Sequence, residues 1–345
     1  MPAAKQWPDD QGWNFAAAFG QKEPDLVVKS YDFTMPAVSQ DVWDKRITPS
    51  GITEPRWVRA IEIDPTSAAG HTALACATLL FENNRAMAKE EFERALELRP
   101  SYALGRSWYA TFFLQWTCGE LEQGIVEVRR ALDSDPLSAY IMMLLACCLC
   151  TAGRLNEAIE TARRAVRQDP ESFITRWVLG VSLGTAGQFD EAVSTLETAS
   201  AISGRHSRAL ASLALVFGQS GKRPEASALH GELVDRASRA YVPLTYLALT
   251  AEASGQHEEA MSLARRAWDA RDPTFILHAR HFPEFRSLRS DPRFVAILRE
   301  MNRPTSGEAS IAVLPFANMS ADKENEYFGD GLAEEILNVL AQVPG

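Results

Sequence analysis

An all-α solenoid of stacked helix pairs is the fold class this sequence predicts, and three observations carry that expectation. Glycine recurs every 34 residues, at Gly119, Gly153, Gly187, Gly221 and Gly255. Alanine follows at fixed offsets: five residues on at Ala158, Ala192, Ala226 and Ala260, and twelve on at Ala131, Ala165, Ala199 and Ala267. Gly124 and Leu233 are the two departures from that phase. Finally, Pro136 and Pro170 close two of the units. A period of this length marks units that cannot bury their apolar faces alone and must stack.

Each feature has a cause. A glycine past a helix end supplies the left-handed conformation of a C-cap. The phrases GRLNEAIE, GQFDEAVS and GQHEEAMS then open a second helix, with acidic residues in the first turn to suit the helix dipole. Small residues at the phased positions, and in pairs such as Leu145-Ala146, Leu179-Gly180, Leu213-Ala214 and Leu247-Ala248, let two helices approach closely. Proline cannot continue the second helix and ends it.

Taken in order, residues 1–48 are rich in Pro, Asp and Trp and show no period. The array is expected over 49–271, where Trp57, Ala60 and Pro65 fit the second helix of a degenerate first unit. Ala88, Phe92, Ala95 and Pro100 fit the second helix of the next. The spacing from Pro65 to Pro100 is 35 and from Pro100 to Pro136 is 36, so small insertions are expected in those two units. Residues 272–303 are expected to cap the array, with Phe285, Leu288, Phe294, Ile297 and Leu298 as the apolar face of a helix. A linker follows at 304–309, and at 310–345 the character changes to a strand-like run, SIAVLPF, then a polar stretch, then an amphipathic helix carrying Leu332, Ile336, Leu337 and Leu340.

The repeating pattern resembles the tetratricopeptide repeat family over roughly residues 66–271. That resemblance implies a right-handed superhelix whose first helices line a concave face that binds a protein or peptide. In the family, the second, fifth, ninth and twelfth positions of the first helix commonly face the groove. Carried onto this sequence they are Arg106, Tyr109, Phe113 and Trp116, then Tyr140, Met143, Cys147 and Cys150. Next come Ile174, Trp177, Val181 and Gly184, followed by Arg208, Ala211, Leu215 and Gly218. The set is mostly apolar and aromatic, which suits a helix or extended segment with large side chains. It lacks a Lys/Asn/Arg constellation for a terminal carboxylate. The alternative is that these residues face neighbouring helices or are covered by residues 1–48, and for Tyr109, Met143 and Trp177 the sequence leaves the two open.

Residues 310–345 look like the start of a TolB-like amino-terminal domain, an incomplete α/β segment here. In bacterial signalling proteins such a domain occurs beside tetratricopeptide arrays, often with a DNA-binding, kinase or adenylate cyclase output domain. One strand and one helix cannot make an independent core. Its place after the repeats departs from the usual order.

Composition narrows the function. The 345 residues carry 35 Lys and Arg against 45 Asp and Glu, and the net charge of −10 argues against nucleic-acid and anionic-membrane partners. The longest apolar run, 139–152, is shorter than the ~20 residues a membrane span needs. The first residues lack the apolar core of a secretion signal. Five clustered cysteines fit a reducing cytoplasm better than a disulfide framework.

Catalytic candidates are weak. Cys147 to Cys150 form a literal C-x-x-C, but inside a helix rather than at its N-terminus, and without a second pair for zinc. His278 and His281 have no acidic partner at ligand spacing, and Gly329-Asp330-Gly331 lacks the Lys-Ser/Thr of a phosphate loop. The expectation is a non-catalytic, cofactor-free interaction scaffold in a bacterial signalling or regulatory system. The alternative is a regulatory module acting with an adenylate cyclase, protein kinase or winged-helix regulator.

Overall fold

The computed structural model describes residues 67–302. The expectations for 1–48, for Trp57, Ala60 and Pro65, for the linker and for the TolB-like segment lie outside the described residues.

Six helix pairs stack in chain order. They are α1 (Ala68–Ala77) with α2 (Arg85–Leu98), α3 (Ala103–Trp108) with α4 (Leu121–Ser134), and α5 (Ala139–Thr151) with α6 (Leu155–Gln168). Then come α7 (Phe173–Thr185) with α8 (Phe189–Ile202), α9 (Ser207–Gln219) with α10 (Arg223–Ala237), and α11 (Leu244–Ala253) with α12 (His257–Asp269). A single-pass segment follows: α13 (Pro273–His278), two short 3-10 turns at Pro283–Phe285 and Leu288–Ser290, and α14 (Pro292–Met301). The fold is the all-α solenoid expected, and no helix among the described residues is long and apolar enough to cross a membrane.

The phased residues act as their positions require. Gly119, Gly153, Gly187, Gly221 and Gly255 all sit at φ between 76° and 83°, where a side chain would be strained. Behind them the chain makes the six-residue back-bond of a Schellman cap: the N–H of Arg154 reaches the Leu149 carbonyl at 2.8 Å, Gln188 reaches Leu183 at 2.9 Å, and Lys222 reaches Phe217 at 2.8 Å. The alanines at both phased offsets, and Leu233, are completely buried between helices.

The two insertions are absorbed inside first helices. α1 runs on into a wider π-type turn at Thr78–Glu82, and α3 into a longer one at Tyr109–Thr117. There the N–H of Cys118 donates to the Phe113 carbonyl at 3.0 Å, five residues back. A π-turn takes up an extra residue without breaking the helix. In α3 it also changes which side chains share a face. Trp108, Phe112 and Trp116 form one ladder, with centroids 5.7 and 5.5 Å apart. Tyr109 and Phe113 form another at 5.7 Å.

The C-terminal segment differs from the expected capping helix. Pro283 interrupts it, since proline removes a donor and biases Phe282 to an extended backbone, observed at φ −65° and ψ 139°. Only Pro292–Met301 is a regular helix of any length, and it lies on α12. The residues between run back over the array.

Candidate functional site in the concave groove

First helices of successive repeats supply the inner face. On α3, Trp116 donates its Nε1–H to Thr151 Oγ1 of α5 at 3.4 Å. On α7, Trp177 donates to Ser212 Oγ of α9 at 2.8 Å. The Arg208 guanidinium lies 4.6 Å over the Trp177 ring and 5.8 Å from that of Tyr246 on α11. Each tryptophan therefore ties one repeat to the next through its indole N–H while its face is left for something else.

What meets those faces is the chain's own C-terminal segment. The Phe282 ring stacks on Trp177 at 5.8 Å and 20°, and sits edge-on to Trp116 at 5.4 Å. His278 is 4.6 Å from Trp116 and 5.0 Å from Phe282. The Glu284 carboxylate accepts a short hydrogen bond from Ser212. Phe282 is completely buried by these contacts.

The titratable groups follow from this burial. Burial, with the Arg208 charge adding to it, pushes His278 down to about 3, so the ring is neutral. Its Nδ1 lies 2.9 Å from the Thr274 carbonyl, which only accepts, so Nδ1 carries the proton. Burial also pushes the Glu284 carboxyl up, with the Ser212 hydrogen bond and Arg208 opposing it.

The sequence-derived groove residues do not share one environment. Trp116, Trp177 and Arg208 do lie together on the face described. Tyr109 and Phe113 instead pack on Phe92 of α2, at 5.5 and 6.2 Å, in the joint between the first two described repeats. Arg106 is held at home, by Glu127 of α4 at 2.5 Å and the Pro100 carbonyl at 2.9 Å. Tyr140 accepts from Trp108 Nε1 at 3.2 Å, and Ile174 is half-buried against the core. Met143, Val181, Ala211 and Leu215 are buried.

Cys147 and Cys150, with Cys148 between them, are core residues. Cys147 donates to Met143 Sδ at 3.8 Å, and Cys148 lies 3.4 Å from Thr111 Oγ1. Burial pushes the thiols of Cys147, Cys148 and Cys150 up, Cys148 to about 12, which removes thiolate character. Gly184 and Gly218 are corrections to the groove positions. A Cβ on Gly184 would meet Val216 at 2.7 Å, and one on Gly218 would meet the Ala253 carbonyl oxygen at 2.5 Å, so both mark helix contacts.

Sequence reasoning missed Ser212, Tyr246, Phe282 and Glu284, and weighed His278 only as a metal ligand. Only Ser212 leaves a signal, as a hydroxyl inside the otherwise apolar run of α9.

A latch anchors α14 on the last repeat. His257 bridges two carboxylates, with Nδ1 2.7 Å from Glu252 and Nε2 2.9 Å from Asp291, the residue that caps α14. The hydrogen bonds to Asp291 and then Glu252 raise the His257 pKa. A raised histidine stabilises the fold fully below its unfolded value of about 6.5, and that stability is lost as pH rises through the higher folded value. His278 titrates with the opposite sign, so the latch is read by difference. The melting-temperature gap between wild type and His257→Gln should be widest near pH 6 and narrow towards pH 9. A gap independent of pH would remove the latch's charge from the account.

Comparison with known proteins agrees with the repeat assignment. Family models for the tetratricopeptide repeat match residues 119–173 and 73–102. Among solved structures, the type IV pilus biogenesis factor PilW is 19% identical, covers 64% of this chain and 98% of its own, and has a TM-score of 0.45. PilF of Pseudomonas aeruginosa is 18% identical, covers 65% and 97%, and has a TM-score of 0.42. YrrB, described as a tetratricopeptide repeat protein with an unusual peptide-binding site, is 20% identical over 55% of this chain and 98% of its own, with a TM-score of 0.35. A curated relative, putative adenylate cyclase 3 of Rhizobium meliloti (strain 1021), is 58% identical over 36 residues, which is 10% of this chain and 6% of that protein. The phased glycines, the buried phased alanines and the family matches converge on one architecture: the described residues form an all-α solenoid of stacked helix pairs, within which residues 73–102 and 119–173 match the tetratricopeptide repeat.

Proposed function

We propose that the protein is a non-catalytic scaffold that binds a protein or peptide in the concave groove of its repeat array, as part of a bacterial signalling or regulatory system. The observation that carries this reading is the chemistry of the inner face. Two tryptophan faces, a guanidinium over an aromatic ring and a serine hydroxyl converge there, and they hold an irregular stretch of polypeptide. Large aromatic and arginine side chains in desolvated pockets are what anchor peptides. The buried thiols, pushed away from the thiolate form, fit a binding role better than a catalytic one.

Affinity capture with the full chain, followed by mass spectrometry, tests the reading. The same partner should return in replicate, and Arg208→Ala should recover several-fold less of it while the helical circular-dichroism signal persists. Reproducible absence of any partner counts against a scaffold. One observation favours a second reading, a regulatory module that acts with a cyclase: the 36-residue match to the putative adenylate cyclase, although this chain spans only 6% of that relative. Co-expression with a cyclase partner and a change in cyclic-nucleotide output would distinguish it.

A further inference from the structure

We propose that the inner groove is a recognition slot for a short turn-forming peptide carrying an aromatic–proline–acidic triplet, and that Phe282-Pro283-Glu284 is a built-in copy of that ligand which a partner's segment displaces. This rests on the scaffold reading and deepens it by naming the ligand class and its regulation.

The first support is the form of the segment. Residues 279–286 join the array through side chains rather than through shared helical or strand hydrogen bonds. Their backbone bonds run within the segment or back to α13: Phe282 N–H to the His278 carbonyl at 3.0 Å, Phe285 to Phe282 at 3.2 Å, and Arg286 to Pro283 at 3.0 Å. Arg289 ties the same stretch from its own side, donating to the Ala279 and Phe282 carbonyls at 3.1 and 2.9 Å. A bound peptide makes contacts of this kind.

The second support is Glu284. A segment whose only task was to fill the core would be cheaper with an apolar residue here, because a carboxyl taken from water needs compensation. The array supplies that compensation: Ser212 donates to the carboxyl, Trp177 fixes Ser212, and Arg208 adds positive charge nearby. Ser212 alone touches that carboxyl, next to the Trp177 ring on which Phe282 stacks. The seam is also imperfectly closed. A crevice of about 20 Å³ lies between Val181, Gly184, Leu215 and Gln219 of the array and Pro283 and Glu284 of the segment.

The flanks hold the copy in place. α13 precedes it with its cap on Asp272, and Phe285 after it packs on Phe275 and Phe294. Tethering at both ends gives the internal copy an effective concentration in the millimolar range, so a free peptide competes poorly until the copy is weakened.

The test uses the full chain and a labelled peptide of the sequence Ala279–Leu288, read by fluorescence anisotropy. Phe282→Ala and Glu284→Ala chains should bind the peptide about tenfold or more tighter than wild type. A peptide with alanine in place of its first phenylalanine should lose that binding. Folded variants that bind no peptide overturn the proposal. Should both variants fail to fold, hydrogen exchange on wild type decides. The amides of Phe282 and of 284–286 should exchange about 100-fold or more faster than those of Leu144–Cys148, through an opening that leaves the array folded. Equal protection means the segment is permanent core and overturns the proposal. The scaffold reading would survive that result wherever affinity capture still returns a partner, because another face would then be the binding surface.

Discussion

A Gly218→Ala chain should lose about 2 kcal/mol or more of stability, and Gly218→Val more still. The first added carbon would lie 2.5 Å from the Ala253 carbonyl oxygen and 3.0 Å from its Cα. Those are backbone atoms at the end of α11, so no side-chain rotation relieves the contact. α9 and α11 must part, and in a solenoid each joint is a nearest-neighbour term that nothing else replaces. Gly231 on α10 is the internal control. No atom lies within 4 Å of a Cβ built there and its φ is ordinary, so Gly231→Ala should raise stability by about 0.5–1 kcal/mol through helix propensity and unfolded-state entropy. Urea denaturation of both variants gives the comparison. A Gly218→Ala chain as stable as wild type would mean that the two helices are less tightly joined than this geometry requires.

Gly218 also shows where reading by period succeeds and where it stops. Trp116, Cys150, Gly184 and Gly218 hold one position in successive first helices, and a periodic rule sends all four to the groove. The outcome follows side-chain size instead. Glycine draws its helix onto the next, as at Gly184 and Gly218, whereas the π-turn in α3 swings an aromatic ladder out so that Trp116 reaches the returning segment. The period sets the fold because phased glycines and alanines act locally or between adjacent helices. It does not set the site, because Gly184 and Gly218 lie in regular helices and still close on the next one, whereas Trp116 lies in the π-turn and reaches the returning segment.

The C-terminal return was illegible for a different reason. It occurs once, so it has no period, and its partners are 72 residues away at Ser212 and 197 residues away at Asn83. The spacing of Phe285, Leu288, Phe294, Ile297 and Leu298 suggested one amphipathic helix. Pro283 and the turns that follow divide the stretch, so that Phe282 and Glu284 face the groove while Phe285 and Phe294 face Phe275. The same residues thus close the end of the array and fill its interior, two tasks that the sequence pattern merged into one.

The joint between the chain's two described ends should be the most sensitive polar site, and Arg280→Met tests it. The buried guanidinium of Arg280 donates to the Ile276 carbonyl at 2.9 Å, the Met301 carbonyl at 3.0 Å, Asn83 Oδ1 at 3.2 Å and Asn302 Oδ1 at 3.2 Å. Asn83, in the left-handed conformation at φ 51°, also donates to the Met301 carbonyl at 2.8 Å, and Arg85 joins it at 3.4 Å. The turn after α1 is in this way fastened to the end of α14 across 218 residues of sequence. Burial, with Arg85 adding repulsion, pushes Arg280 down to about 9, so the cation is kept there only by using its donors. Methionine preserves much of the stem and removes the desolvation cost. It also strips Asn83 Oδ1 of the partner described here and weakens the capping of Met301, at about 1–3 kcal/mol for each buried acceptor left unpaired. The second effect outweighs the first because several acceptors lose a donor at once, and the net loss should be about 2–4 kcal/mol. Location matters more than size in this test. Hydrogen exchange should quicken together at the α1–α2 turn and along α14, while α5 and α7 keep their protection. Loosening of α14 alone would show that Arg265 with Glu300 and Arg293 with Glu258 do not hold it on α12 without the clasp, and that the first repeat does not depend on the last.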